Sequence, residues 1–150
     1  MPSTQSQDGP ANEAHVSLCV SEFDDPAIIT LLIGLSPTEV WCVGDPIPGR
    51  SSVRRKFSRW SLGSPLSAHA TLDDHLDALL LLIEPVSARV RGCAIRFHTG
   101  ITCAVYYHQG FTQGIHLSKS LLRRVSELGV PLDFDLYFLA EGVVPQDVKG

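Results

Sequence analysis

Residues 130–139 read VPLDFDLYFL, and their apolar and polar side chains alternate. One face of this predicted strand is apolar and comprises Leu132, Phe134, Leu136 and Phe138. The other face carries Asp133, Asp135 and Tyr137. Strands of parallel sheets, which are covered on both faces, are continuous apolar runs instead. The alternation therefore predicts a sheet that is covered by helices on one face and open on the other.

The sequence before this strand predicts the other strands and helices. Periodicity and capping residues predict strands over residues 15–23, 39–43 and 56–62, and helices over residues 24–34, 71–83 and 118–128. A loop is predicted over residues 45–55, and Pro85 either kinks the second helix or starts a further turn that runs to Arg91. Two strands, residues 93–98 and 102–108, are predicted to form a hairpin at Thr99-Gly100.

The predicted order is β-α-β-β-α-β-β-α-β. This order favours an α+β fold, a two-layer sandwich with a mostly antiparallel sheet, helices on one face and a ferredoxin-like character. We expect residues 1–13 to be a disordered N-terminal arm, residues 14–140 a single α+β domain, and residues 141–150 a C-terminal tail.

Composition limits the classes of function. The 150 residues are 44% apolar and 19% charged, with a formal net charge of −4, so the chain should fold and lacks the basic footprint of general nucleic-acid binding. The four cysteines form no closely spaced pair of the kind that binds zinc, and no cofactor motif is present. No secretion signal or membrane-spanning run is apparent, so we expect a cytoplasmic protein with reduced thiols and no membrane association.

Two groups of residues could bind a ligand. Asp133, Asp135 and Tyr137 share one strand face, where paired carboxylates suit recognition, acid–base chemistry or a hard cation. The predicted loop and the following strand hold a basic cluster that could clamp an anion, with Trp60 beside it as an aromatic platform. This basic cluster comprises Arg50, Arg54, Arg55, Lys56 and Arg59.

Metal binding and nucleophilic catalysis have less support in the sequence. Six histidines are scattered without a metal-binding spacing, so only tertiary proximity to the aspartates could assemble a site. No serine or cysteine stands in a recognisable nucleophile motif, which makes an enzyme the less favoured expectation.

Several short motifs occur together in a characteristic order. They include Gly34-Leu35-Ser36-Pro37-Thr38, Gly44-Asp45-Pro46, Trp60-Ser61-Leu62, Ile115-His116-Leu117-Ser118 and Leu132-Asp133-Phe134-Asp135-Leu136-Tyr137. This order resembles a bacterial family known as domain of unknown function 4279, over about residues 15–140. The resemblance implies a bacterial or phage-like origin and supports the fold, but it implies no activity.

These observations leave three functional hypotheses. The first is a non-enzymatic interaction module, such as an immunity- or antitoxin-like partner of a basic effector, that uses the open sheet face for a protein partner or for self-association. The second is a small sensor or enzyme for an anionic metabolite that uses the basic residues 50–59. The third, with the least support, is a metal-dependent hydrolase that uses the aspartates and histidines.

Overall fold

A computed structural model describes residues 12–108 and 114–140 of the chain. The predicted tail over residues 141–150, and all but the last two residues of the predicted arm, lie outside the described residues. Seven strands are present in the described part: β1 (Glu13–Ser21), β2 (Glu39–Trp41), β3 (Pro46–Ile47), β4 (Arg50–Arg54), β5 (Arg59–Gly63), β6 (His98–His108) and β7 (Leu132–Leu139). Four α-helices accompany them: α1 (Pro26–Ile33), α2 (Leu72–Ile83), α3 (Ser87–Arg96) and α4 (Lys119–Glu127).

Five strands form one sheet in the order β2-β5-β1-β6-β7, and β3 and β4 form a separate hairpin. Every neighbouring pair in the large sheet is antiparallel except β6 and β7, which are parallel. The ferredoxin-like β-α-β-β-α-β order is reproduced by β1, α1, β2, β5, the pair α2 and α3, and β6, and α4 and β7 extend it at one edge. The fold is therefore the predicted α+β sandwich with a mixed, mostly antiparallel sheet.

The core lies between the sheet and the helices. Val16, Leu18 and Val20 of β1 are at most 2% exposed and lie among buried residues of the helices such as Ile29 and Leu76. The alternate residues of β1 are only half-buried and face away from the helices. The helices thus cover one face, as the alternation of β7 predicted, because each strand has one apolar row to bury.

Local capping chemistry fixes the helix ends where the sequence placed them. The Asp25 carboxylate accepts a hydrogen bond from the Ala27 N–H at 3.0 Å, and α1 ends at Gly34 with a left-handed φ of 78°. Thr71 caps α2 through the Asp74 N–H at 3.1 Å, and Ser118 caps α4 through the Leu121 N–H at 3.2 Å. These side chains satisfy N–H groups that have no partner within the helix.

The predicted hairpin at Thr99-Gly100 is wrong. Residues up to Arg96 continue α3 after a 3₁₀ turn at Glu84–Val86, and His98–His108 is one long strand. Val86, Val90, Cys93 and Phe97 recur at helical spacing on the core side, so burial favours helix over strand here. Gly100 serves a close approach instead of a turn, because a Cβ there would lie 3.2 Å from Pro131 Cγ.

The loop predicted over residues 45–55 is also partly regular, since it contains the β3–β4 hairpin. The backbone closes the base of this hairpin: the Gly44 N–H donates to the Arg55 carbonyl and the Arg55 N–H to the Asp45 carbonyl, both at 2.8 Å. No residue of the hairpin belongs to the buried core. The hairpin is therefore an attachment between β2 and β5 that the sandwich does not need for its packing.

Candidate functional site

A cleft of about 520 Å³ lies on the open face of the sheet. All five strands of the large sheet contribute lining residues, and Ile47 and Pro48 of the hairpin form part of its rim. Clefts of roughly 300–1,000 Å³ are the usual size of ligand sites in proteins. The cleft has a basic end, a floor of small side chains and an aromatic, acidic end.

The basic end consists of Trp41, Arg55 and Arg59. The guanidinium carbon of Arg55 lies 3.9 Å from the centroid of the Trp41 ring, and that of Arg59 lies 5.6 Å from it. Such contacts attract a cation to the indole face and hold it in place. Within residues 12–108 and 114–140, no carboxylate lies within 4 Å of either guanidinium group.

Strand pairing explains why these side chains meet. Trp41 of β2 is directly opposite Arg59 of β5, so both point to the same open face. Arg55 is held at the base of the hairpin by its two backbone hydrogen bonds. The hairpin thereby brings a second guanidinium group to the ring that the strand pair has positioned.

The basic end contains several donors without acceptors. Trp41 Nε1, Arg55 Nε and Arg59 Nε are buried atoms with no hydrogen-bond partner in the described part of the chain. Arg59 uses its Nη2 to donate to the Cys19 sulfur at 2.9 Å. These three atoms are closed to solvent, so a ligand in the cleft would be bound by the terminal guanidinium nitrogens, which favour acceptor oxygens.

The floor of the cleft is formed by short side chains on β5, β1 and β6. Ser61, Ser17 and Thr102 line it, and none of their hydroxyl groups has a hydrogen-bond partner among the residues described. Ser61 is only 6% exposed. A ligand can therefore approach the sheet closely and find polar groups that lack a protein partner.

The opposite end is aromatic and acidic. The rings of Tyr106 and Tyr137 stack with centroids 4.7 Å apart and an interplanar angle of 14°, and His15 meets Tyr106 edge-on at 5.8 Å. Asp135 lies beside them on β7 and is exposed. Burial raises the pKa of Tyr106, and the neighbouring Tyr137 and carboxylates of Glu13 and Asp135 add to this effect, so the phenol stays neutral.

The structure divides the residues that the sequence proposed as binding residues. Arg55, Arg59, Asp135 and Tyr137 line the cleft. Asp133 lies on the same face of β7 as Asp135 and Tyr137 but does not line the cleft. Arg50 and Arg54 are exposed on β4 and do not line the cleft either. The role of each in binding stays a prediction.

Trp60 is a different case, because it is 0% exposed and cannot form a surface platform. Its indole N–H donates to Thr30 Oγ1 at 3.0 Å inside the core. Trp60 lies opposite Val20, on the apolar row of the sheet. The aromatic platform beside the arginines is Trp41 instead.

Trp41, Tyr106 and His15 were missed as site residues. Trp41 could have been found from the sequence, because it alternates with Val40 in the short strand predicted over residues 39–43, just before the basic cluster. Tyr106 was missed because the predicted hairpin paired residues 102–108 with residues 93–98, whereas the strand pairs with β1 and β7. His15 was counted only among the scattered histidines. In the true register, Tyr106 is opposite Glu13 and next to Tyr137 on the open face.

Within the described ranges, no group of three or more His, Cys, Asp or Glu side chains is arranged to hold a metal ion. No helix in those same ranges is long and apolar enough to cross a bilayer.

The fold and cleft define an open-faced α+β sandwich with a polar groove across its sheet. The chain belongs to the family described as domain of unknown function (DUF4279), whose model matches residues 12–139. No curated protein and no solved structure matches it. Assignment to the family agrees with the resemblance found in the sequence and adds no activity.

Proposed function

We propose that this protein is a non-catalytic binding module whose ligand places an anionic group at the basic end of the cleft. The supporting observation is the arrangement of two guanidinium groups on the ring of Trp41, at 3.9 and 5.6 Å, with no carboxylate partner in the described residues. Both guanidinium groups line the cleft, so a bound anion offsets positive charge that no described carboxylate neutralises. Guanidinium groups match the oxygens of carboxylates and phosphates.

A binding role fits the cleft better than catalysis. His15 and Ser17 both line it, yet the His15 ring interacts with Glu13 at 3.4 Å and shares no hydrogen bond with Ser17. Activation of a serine nucleophile requires such a bond. The open face also carries both signs of charge, which suits selective recognition. Arg55 and Arg59 lie at one end, where Glu39 shares β2 with Trp41, and Asp133 and Asp135 lie at the other.

In this proposal the ligand belongs to a protein partner, as in an immunity- or antitoxin-like pair. The proposed setting is a bacterial cytoplasm, where the four free thiols remain reduced. Self-association through the same face is the other form that a protein partner can take. A sensor of a small anionic metabolite is the second candidate, and the same pair of arginines supports it.

A thermal-shift panel tests the anion site. The panel contains acetate, succinate, glutamate, inorganic phosphate, pyrophosphate and ATP, and hits are measured by calorimetry. An anion at 100 times its dissociation constant adds about 2.7 kcal/mol to the free energy of unfolding, which raises Tm by roughly 5–10 °C in a domain of this size.

Matched arginine pairs provide the control. We expect the Arg55→Gln/Arg59→Gln variant to lose the shift and the Arg50→Gln/Arg54→Gln variant to keep it, because Arg50 and Arg54 lie outside the cleft. Both variants remove two positive charges, so an effect of net charge alone would appear equally in both. The proposal fails if no anion raises Tm, or if both variants lose the shift to the same extent.

A further inference from the structure

The cleft is much longer than the anion site at its basic end. It runs from Trp41 on β2 to Tyr137 on β7, which are the two edge strands of the sheet. Trp41 is level with Ser21 of β1 and Tyr137 is level with Glu13, so the cleft crosses the sheet diagonally. The Arg59 guanidinium reaches Cys19 of β1, and Asp135 is level with His15. Two interstrand steps of about 4.8 Å and four residues of about 3.3 Å along the strand separate these groups by roughly 16 Å. A carboxylate bound by Arg55 and Arg59 would occupy only one end of this span.

The far end has the opposite charge. Asp135 is exposed in the cleft and makes no ion pair or hydrogen bond with the described residues. The stacked rings of Tyr106 and Tyr137 lie next to it. Because Tyr106 is only 2% exposed, the groups that favour a cationic ligand here are the Asp135 carboxylate and the partly exposed ring of Tyr137.

The floor between the two ends suits a polar chain. The hydroxyls of Ser17, Ser61 and Thr102 have no hydrogen-bond partner in the part of the chain that is described, and Ser61 is only 6% exposed. Hydroxyl groups both donate and accept, so they can pair with the N–H and C=O groups of a main chain. The small size of these side chains lets such a chain lie close to the sheet.

Resting on the proposed function, we infer that the ligand is an extended peptide segment of about six residues that crosses the sheet. Its carboxylate lies at Arg55 and Arg59, and a lysine or arginine side chain lies at Asp135 and Tyr137. Six extended residues are joined by five steps of about 3.3 Å each, which span the roughly 16 Å between the two charged groups.

A single-stranded nucleic acid fits this face less well. Four carboxylates lie on the open face and would repel a phosphate backbone, whereas only the two guanidinium groups at one end would attract it. These carboxylates belong to Glu13, Glu39, Asp133 and Asp135. A peptide with a charge of each sign matches both ends.

The experiment uses the full chain and a positional-scanning hexapeptide library with free C-terminal carboxyl groups. The same library with amidated C-termini is the second arm, and an eight-residue oligouridine is the third. We expect the free-acid library to select Lys or Arg four or five positions before the carboxylate. The best peptide should bind at least tenfold more tightly than N-acetylglycine. Retained binding of amidated peptides that contain Asp or Glu would show that a side chain supplies the carboxylate.

Paired variants on β7 test the far end. We expect Asp135→Asn to weaken the best peptide at least fivefold and Asp133→Asn to change it less than twofold, because only Asp135 lines the cleft. Tyr137→Ala should weaken the peptide in the same way, whereas Phe138→Ala should not. Phe138 also stacks on a tyrosine, at 5.2 Å from Tyr107, but on the opposite face.

The outcomes separate this inference from the proposed function. If glutamate or phosphate binds through Arg55 and Arg59 but no hexapeptide binds more tightly than N-acetylglycine, the peptide inference is wrong and the anion site stands. Equal effects of Asp135→Asn and Asp133→Asn, or tighter binding of oligouridine than of any peptide, would also overturn it. If no anion and no peptide binds, both proposals are wrong.

Discussion

Single residues determine which surface of the sheet the chemistry occupies. Val40 and Trp41 are adjacent, and so are Arg59 and Trp60, but strand geometry sends neighbours to opposite faces. Trp60 therefore fills the core at 0% exposure, while Trp41 holds the arginines in the cleft. A shift of one residue in β2 would turn Trp41 toward the core, and a shift of one residue in β5 would turn Arg59 toward the core, so either shift would break the cluster.

A buried histidine couples stability to pH at this scale. His75 is 2% exposed, and its Nδ1 lies 2.8 Å from Ser64 Oγ. Burial lowers the pKa of His75 below the ordinary value of 6.5, and the nearby His15 adds to the shift. The neutral ring is the form that the folded state accommodates.

We expect the free energy of unfolding to decrease as the pH falls below about 6.5. The unfolded chain then takes up a proton on His75 that the folded state binds less readily, and the loss levels off below the lowered pKa of the folded state. Urea unfolding between pH 8 and pH 5 measures the slope. His75→Gln should flatten the slope, and His69→Gln, at an exposed position, should leave it unchanged. Equal slopes in the wild type and in His75→Gln would contradict the prediction that His75 causes this pH dependence.

At the scale of elements, short-range signals predicted the starts of α1, α2 and α4, while α3 and the strand boundaries depended on the rest of the fold. Asp25, Thr71 and Ser118 cap their helices as predicted because a capping hydrogen bond involves residues two or three positions apart. Residues 93–96 have β-like composition but belong to α3, since Val90 and Cys93 bury on the helical period. Tertiary burial outweighed local propensity there.

Two glycines of the helical layer should respond in opposite ways to alanine. Gly34 ends α1 at φ 78°, where an L side chain is strained, so Gly34→Ala should destabilise the protein by about 1–2 kcal/mol. Gly92 lies inside α3 with open space around it, so Gly92→Ala should stabilise it by about 0.5–1 kcal/mol. Chemical denaturation of the two variants measures both changes. Effects of the same sign would show that the assigned backbone conformations are wrong.

At the scale of the whole molecule, folding and binding use different parts of the chain. The sandwich buries one face of its sheet against the helices, and the β3–β4 hairpin contributes nothing to that core. The hairpin instead supplies Ile47 and Pro48 to the rim of the cleft, and its base holds Arg55. The protein can therefore keep its stability while the hairpin changes.

Removal of the hairpin tests this separation. We expect replacement of residues 46–54 by a short Gly-Ser linker to change the free energy of unfolding by less than about 1 kcal/mol, as for other surface loops. Gly44, Asp45 and Arg55 keep the hydrogen bonds that close the base. The peptide bound by the wild type should bind at least tenfold more weakly, because Ile47 and Pro48 no longer form the rim, whereas a small anion held by Arg55 and Arg59 should still bind. Denaturation and calorimetry on one preparation give both values, and loss of cooperative unfolding would show that the hairpin is part of the core.

The sequence by itself determined the α+β class, the one-sided covering of the sheet and the helix ends, because alternation and capping are local properties of the chain. It also identified Arg55, Arg59, Asp135 and Tyr137 as polar residues available to a ligand. Only the tertiary structure decided which of the basic residues meet Trp41, that Trp60 is buried, and that β6 is one strand which brings Tyr106 beside Tyr137. Those relations depend on the register between strands far apart in sequence, and register is set by burial of the whole apolar face at once.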